Sequence, residues 1–343
     1  MASPVIVLFG GPSDERRVSV ATAQHVLALL PRAEAWFIAP DLRVFKPTRE
    51  EVQRHERPFI TEFEPAQGAA AASLEIALDS AQGAREAIFF LGMHGSWGED
   101  GTVQRMLEAR GLAFTGSGSQ ASADAFDKAA AKRVAASRGV RTAEAQVLPQ
   151  GDTAAISRAI GELLGRHGRV VAKPLAGGSS FGLHHVSAPA DIERAAAAIA
   201  ADTQPYLCEA FISGTELTVG VVDGAAGLRA LPASEVRLAP GRAFDYEGKY
   251  LGKGTVEITP AEVAPEVSKA AQALALTAHA ALGCYGYSRT DVIVDARGPV
   301  FLEINTLPGL TRQSFIPQQL AAEGTEIARF LEGQLELARK RTP

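Results

Sequence analysis

A chain of 343 residues with only two cysteines, Cys208 and Cys284, has no disulfide framework to rest on. Both lie among apolar neighbours and neither has zinc-ligand spacing, so buried, reduced thiols and a reducing compartment are expected. No run of eighteen apolar residues occurs, and no basic segment precedes the first apolar run at 5–9. Neither a membrane span nor a secretory leader is therefore expected, and a cytoplasmic protein is. Clustered positive charge is missing as well. The 34 Lys and Arg are dispersed against 39 Asp and Glu, for a net charge of −5, which leaves no footprint for nucleic acid or an anionic membrane. Internal repeats are absent, and the alanine-rich runs read as helical packing.

What is present is ample apolar material, 46% of the residues, enough for two or three domains with cores of their own. Val5-Ile6-Val7-Leu8-Phe9 reads as a buried parallel strand, ending at Gly10-Gly11-Pro12-Ser13 before a helix opened by Asp14, Glu15 and Arg16. The turn lacks the G-x-G-x-x-G spacing of a dinucleotide fold. Further strands are expected at 35–38, 87–91 and 112–115 with helices between, while 46–67 resists assignment; the first domain is α/β. His94 falls where a strand ends, the edge at which open α/β sheets place ligand contacts, and Asp100-Gly101 reads as a helix start. Small residues at 115–119 mark a boundary, and a helix is expected over 122–138 carrying Lys128, Lys132 and Arg133.

The middle of the chain offers phosphate-binding parts. Lys173 ends the apolar strand 170–174 and is followed by Leu175-Ala176-Gly177-Gly178-Ser179-Ser180-Phe181-Gly182. This is not a Walker A loop, yet its backbone N–H groups could cradle a polyphosphate beside the lysine charge; the alternative is a simple turn. The apolar strand 206–212 is interrupted by Glu209 and followed by Glu216, which suits an adenine slot with a ribose carboxylate or an ordinary interdomain strand. The segment 244–255 reads as a mobile lid, and helices are expected at 264–282 and 321–339.

The most informative stretch is 289–314. Two apolar runs flank Asp295-Ala296-Arg297-Gly298, the pattern of a β-hairpin. A three-residue loop of Ala296, Arg297 and Gly298 would oppose Asp291 to Glu303 and Arg289 to Asn305, all four on one face. Two carboxylates and a carboxamide suit a hard cation such as Mg2+, hence a nucleotide site. A solvated face with a cross-strand ion pair is the bland reading for any one of them. Glu303, breaking an apolar strand, favours the metal face for the set. A register slip of one residue would scatter it.

With these pieces in place the chain resembles the ATP-grasp enzymes, and along nearly its whole length the D-alanine–D-alanine ligases. The likeness rests on Phe9-Gly10-Gly11 with Ser13, Glu15, Arg16, Val18 and Ser19; on His94-Gly95 with Gly98-Glu99-Asp100-Gly101-Thr102; and on Gly283-Cys284, Gly286-Tyr287-Ser288-Arg289 and Leu302-Glu303-Ile304-Asn305-Thr306-Leu307-Pro308-Gly309. It implies three domains: an α/β domain over 1–119, a central ATP-grasp subdomain over 120–212, and a catalytic α+β subdomain over 213–343. It also implies ATP-driven joining of two D-alanines through an acyl phosphate, for peptidoglycan precursors.

By the same resemblance Lys128, Lys173 and Ser180 bind phosphates, Glu209 and Ile212 the adenine, and Glu216 the ribose. Asp291, Glu303 and Asn305 hold two Mg2+ ions, for which Mn2+ could substitute. Glu15 receives the first substrate's ammonium in a set with Ser179 and the lid's Tyr250, and His94 meets its carboxylate. Arg289 and the Gly309 N–H stabilise the oxyanion. Lys249 and Ser314 meet the second substrate's carboxylate beside Phe315, which stands where leucine is common and leaves that pocket open to D-serine, D-lactate or another partner. Tyr250, which resembles the dipeptide-forming members, favours D-alanine. A homodimer is implied. The competing class is a nucleotide-binding module without turnover, for which an oxyanion stabiliser has no use.

Overall fold

The structure is a computed structural model, and it describes residues 3–80, 86–178, 182–224, 227–238 and 255–341. Three sheets follow one another along the chain. The first has the order β3-β2-β1-β4-β5, from β1 (Val5–Gly10), β2 (Ala33–Ile38), β3 (Val44–Phe45), β4 (Ile88–Leu91) and β5 (Ala113–Phe114), parallel apart from β3. The unbroken apolar run of β1 is explained by its place in the middle, with five of its six residues buried. At its end Gly10 has φ +90, and a Cβ there would meet the Ile38 carbonyl at 2.3 Å. Only glycine lets the chain turn this close to β2. The turn delivers Glu15 to the N-cap of α1 (Arg16–Leu29).

The second sheet is antiparallel, order β6-β9-β7-β8, from β6 (Ala145–Val147), β7 (Val170–Pro174), β8 (His184–Val186) and β9 (Tyr206–Ala210). Two helices, Thr153–His167 and Pro189–Ala201, bury Ile156, Ile160, Leu163, Ala196 and Ile199 beneath it. The third sheet is also antiparallel, order β13-β12-β10-β14-β15 with β11 on β10: β10 (Thr215–Val222), β11 (Arg229–Ala230), β12 (Ser234–Leu238), β13 (Thr255–Ile258), β14 (Tyr287–Asp295) and β15 (Gly298–Asn305).

Three expectations are corrected. The single helix over 122–138 is two, Ser119–Phe126 and Lys128–Ser137, because Asp127 leaves the helix and its carboxylate accepts from the Ala129 and Ala130 N–H groups. Lys128 thereby opens a helix. Ala131 and Ala135 of that helix pack on Leu217, Val292 and Phe301 of the third sheet. The last helix starts at Ile327, after a separate Phe315–Ala322 helix and Gly324 at φ +80. Both fold back on the first sheet, where Ile316, Leu320, Phe330 and Leu331 share its core.

The hairpin loop is also not the expected one. Asp295 pairs with Gly298 across only Ala296 and Arg297, and Val292 pairs with Phe301. A β-bulge then adds Leu302, so Asp291 still faces Glu303 and Arg289 still faces Asn305. The pairing at the end that matters is as expected, reached by two compensating departures. Burial records the bulge: Phe301 and Ile304 are in the core, with two less buried residues between them.

Candidate active site

Between the second and third sheets lies an open cleft of about 1080 Å3. Register on β7 and β9 pairs Val171 with Glu209 and Lys173 with Leu207, so strand alternation brings Lys173 and Glu209 to one face. Lys173 Nζ is 2.6 Å from Glu209 Oε1, and Lys132 Nζ, one turn beyond Lys128, is 2.8 Å from Oε2. Burial works against the Glu209 charge, but Lys173 and Lys132 outweigh it and bring its pKa down to about 2. For Lys173, too, burial is overcome by Glu209 and Glu303, and its pKa rises; for Lys132 burial prevails and its pKa falls. Lys128 donates to the Gly177 carbonyl at 2.6 Å and lies 3.6 Å from Glu303. It thus ties the glycine-serine loop to the hairpin. Ile212 and Glu216 line the same cleft.

On the hairpin, Arg289 grips Asp291 through Nε at 2.9 Å and Nη2 at 2.8 Å, and Thr218 Oγ1 donates to Asp291 Oδ1 at 2.5 Å. Thr218 pairs with Asp291 across β10 and β14. Asn305 Nδ2 is 3.5 Å from Asp291 Oδ2. Among the described residues no group of three or more His, Cys, Asp or Glu side chains could hold a metal alone. Asp291, Glu303 and Asn305 offer two carboxylates and a carboxamide, which fits Mg2+ that arrives with phosphate oxygens and keeps water in its shell. It would not fit a resident Zn2+.

A smaller cavity adjoins the cleft, and the two share Glu15, Lys128, Gly177, Gly178 and Glu303 as walls. Its inner end is lined by His94, Glu99, Arg289, Asn305 and Thr306–Gly309. His94 is held from α1: its N–H reaches Ser19 Oγ at 3.0 Å, and Nε2 is 2.8 Å from Thr22 Oγ1. Burial lowers the His94 pKa to about 4 despite Glu15, so the ring is neutral near pH 7. Glu99 accepts from the Gly95 N–H at 2.8 Å. Burial, with the negative charge of Glu15 added, pushes its pKa up to about 8. Gly309 lies on the wall against Ser314, whose Oγ a Cβ at Gly309 would meet at 2.6 Å. Ser314 Oγ accepts from the Thr311 N–H at 3.1 Å. The buried Phe315 ring lies 5.9 Å from the Arg289 guanidinium carbon.

Two family models match this chain, D-ala D-ala ligase N-terminus over residues 4–117 and D-ala D-ala ligase C-terminus over 137–336. The chain belongs to the D-alanine–D-alanine ligase family. D-alanine–D-alanine ligases of Leptospira interrogans and Desulforudis audaxviator are similar, at 34% and 35% identity, over 98% and 99% of this chain and 99% and 100% of theirs. Solved structures agree in fold. The VanG D-Ala:D-Ser ligase from Enterococcus faecalis matches with TM-score 0.80 at 25% identity, covering 98% of this chain and 100% of its own. The Bacillus anthracis D-alanine–D-alanine ligase complexed with ATP matches with TM-score 0.74 at 25% identity, covering 99% and 98%. The α/β and α+β sheets described above are thus an ATP-grasp architecture, as expected of a D-alanine–D-alanine ligase.

Of the expected site residues, the structure gathers Glu15, Lys128, Lys173, Glu209, Ile212, Glu216, Asp291 and Glu303 around the cleft, and His94, Arg289, Asn305 and Gly309 at the inner cavity. Ser314 and Phe315 stand just behind it. Ser179, Ser180, Lys249 and Tyr250 lie outside the described residues. Sequence reasoning in terms of D-alanine–D-alanine ligases gave no role to Lys132 or Glu99 and passed over Thr218. Lys132 had a signal, its helical i, i+4 spacing from Lys128; Thr218 had none without the strand pairing.

Lys132 gives a direct prediction. Lys132→Met removes a buried cation and leaves Lys173 and Glu209 as a neutral pair, so the positive charge facing the cleft falls by one. KM for ATP is expected to rise about tenfold. The melting temperature should hold, because an apolar side chain of similar length replaces an ion that is costly to bury. Unchanged KM in steady-state assays would refute the assignment.

Proposed function

We propose that this chain joins two D-alanine molecules at the expense of ATP, giving D-alanyl-D-alanine, ADP and phosphate for peptidoglycan precursors. A carboxylate is a poor acyl donor, so the first D-alanine is activated: its carboxylate oxygen attacks the γ-phosphorus and ADP leaves. The amine of the second, having lost its ammonium proton, attacks the acyl carbon, and phosphate departs from the tetrahedral intermediate.

The observation that carries this reading is the shared wall: a small charged cavity opens onto a nucleotide-sized cleft at Lys128, Gly177, Gly178 and Glu303. The carboxylate that accepts the phosphoryl group and the ATP that donates it would meet there. Lys128 and Lys173 hold phosphates, with Ser180 assigned by family likeness; Glu209 and Ile212 border the base and Glu216 the ribose. Two Mg2+ ions held by Asp291, Glu303 and Asn305, with Mn2+ as a substitute, would neutralise phosphate charge during transfer. Glu15 receives the first ammonium, which would also relieve the repulsion that raises Glu99. Neutral His94 borders that substrate's carboxylate. Arg289 and the Gly309 N–H face the developing oxyanion. Ser314, with Lys249, orients the second carboxylate, while Ser179 and Tyr250 complete the set with Glu15. The enzyme acts as a cytoplasmic homodimer, each chain with three domains over 1–119, 120–212 and 213–343.

The test is phosphate release with ATP, Mg2+ and D-alanine, followed by mass spectrometry of products from a mixed pool with D-serine, D-lactate and L-amino acids. D-alanyl-D-alanine as the main product is expected. ATP binding without D-alanine-dependent ADP would leave a nucleotide-binding module instead.

A further inference from the structure

The proposed oxyanion donor is the N–H of a glycine, the residue least able to hold its own backbone orientation. Something else must fix the Leu307-Pro308-Gly309-Leu310 loop. At its near end, burial brings Leu307 against the first sheet's core, on the same cavity wall as His94 and Glu99. Pro308 fixes its own φ. At the far end the Leu310 carbonyl accepts from His25 Nδ1 at 2.6 Å, across 285 residues of chain. Because a carbonyl can only accept, Nδ1 carries the proton. The Leu307 and Leu310 side chains are buried, but apolar burial is non-directional and cannot set a peptide plane. The His25 bond sets the Leu310–Thr311 peptide, whose N–H Ser314 Oγ also holds at 3.1 Å, and so anchors the chain directly after Gly309.

His25 is also the third member of a regular series on α1. Ser19, Thr22 and His25 recur every third residue, so they share one side of the helix. The first two hold His94 and the third holds the loop beyond Gly309. The helix that begins at Glu15 is thus bonded to both walls of the inner cavity.

We propose that His25 is a positioning residue for acyl transfer, which fixes the orientation of the Gly309 N–H from α1. The inference rests on the assignment of that N–H to the oxyanion. A loosened donor leaves phosphoryl transfer intact but slows capture of the acyl phosphate by the amine, so water competes for it. The readouts are kcat, KM for ATP, and phosphate released per dipeptide formed, on the full chain with ATP, Mg2+ and D-alanine.

His25→Leu is expected to lower kcat about tenfold, to raise phosphate per dipeptide above one, and to leave KM for ATP unchanged. His25→Asn should restore both values, because its amide nitrogen sits on the γ-carbon as Nδ1 does. His25→Gln, one methylene longer, should stay slow and uncoupled. If the leucine variant does not fold, the Asn and Gln variants decide alone. Gln turning over at the parental rate with full coupling, or Asn folded yet as defective as Gln, overturns the proposal. Arg289→Ala in the same assay separates the two ideas. If it is uncoupled while the His25 variants are not, only the role of His25 falls; if it stays coupled, the oxyanion assignment falls first.

Discussion

Glu303→Gln is expected to reduce the rate of dipeptide formation on the order of 10³-fold while the melting temperature stays near that of the parent. Gln keeps the size and shape of the side chain and loses only the charge, at a half-buried position on the bulged strand. Two consequences follow from what Glu303 touches. Of the three proposed ligands only Asp291 and Glu303 are charged, so the divalent cation would lose half of the formal negative charge they offer. It also lies 3.6 Å from Lys128 and contributes to the raised pKa of Lys173, so both lysines lose a counter-charge. ATP alone should still bind, because the lysines remain, and the defect should appear as a fall in kcat with a raised requirement for Mg2+. A variant that turned over normally at low Mg2+ would show that Glu303 is not a ligand.

Arg289→Ala is expected to cost about 10²- to 10³-fold in kcat, the usual loss when one preorganised oxyanion donor is removed. KM for ATP should change little, since Arg289 lines the inner cavity and does not line the nucleotide cleft. Its two bonds to Asp291 also hold that carboxylate in place, which Thr218 and the longer contact from Asn305 would then do. Arg289→Lys should rescue poorly, because an ammonium is a point charge and cannot span both carboxylate oxygens as the guanidinium does. Kinetics well below the melting temperature separate this from destabilisation. If Lys restored the parental rate, the bidentate geometry would be irrelevant to catalysis.

How far the site was legible depended on how local its signals were. The β1 run, the glycine turn and the α1 start were readable because a buried strand and a helix start are written in neighbouring residues. The break at Asp127 was missed because Ala before it and Ala and Lys after it have high helix propensity, and only the cap bonds to Ala129 and Ala130 reveal it. The hairpin is a different case. The pairing was expected from a three-residue loop that the structure does not have, and it holds because the shorter loop shifts the register by one and Leu302 in the bulge shifts it back.

The sequence by itself determined the elements and the chemical inventory: which strands are buried, which lysines and carboxylates are available, and which family they spell. Tertiary structure alone decided that Lys132 shares Glu209 with Lys173, that Thr218 supports Asp291, and that His25 reaches Leu310. These contacts join residues far apart in the chain, and sequence periodicity reports only which way a side chain points, never what the fold brings to meet it.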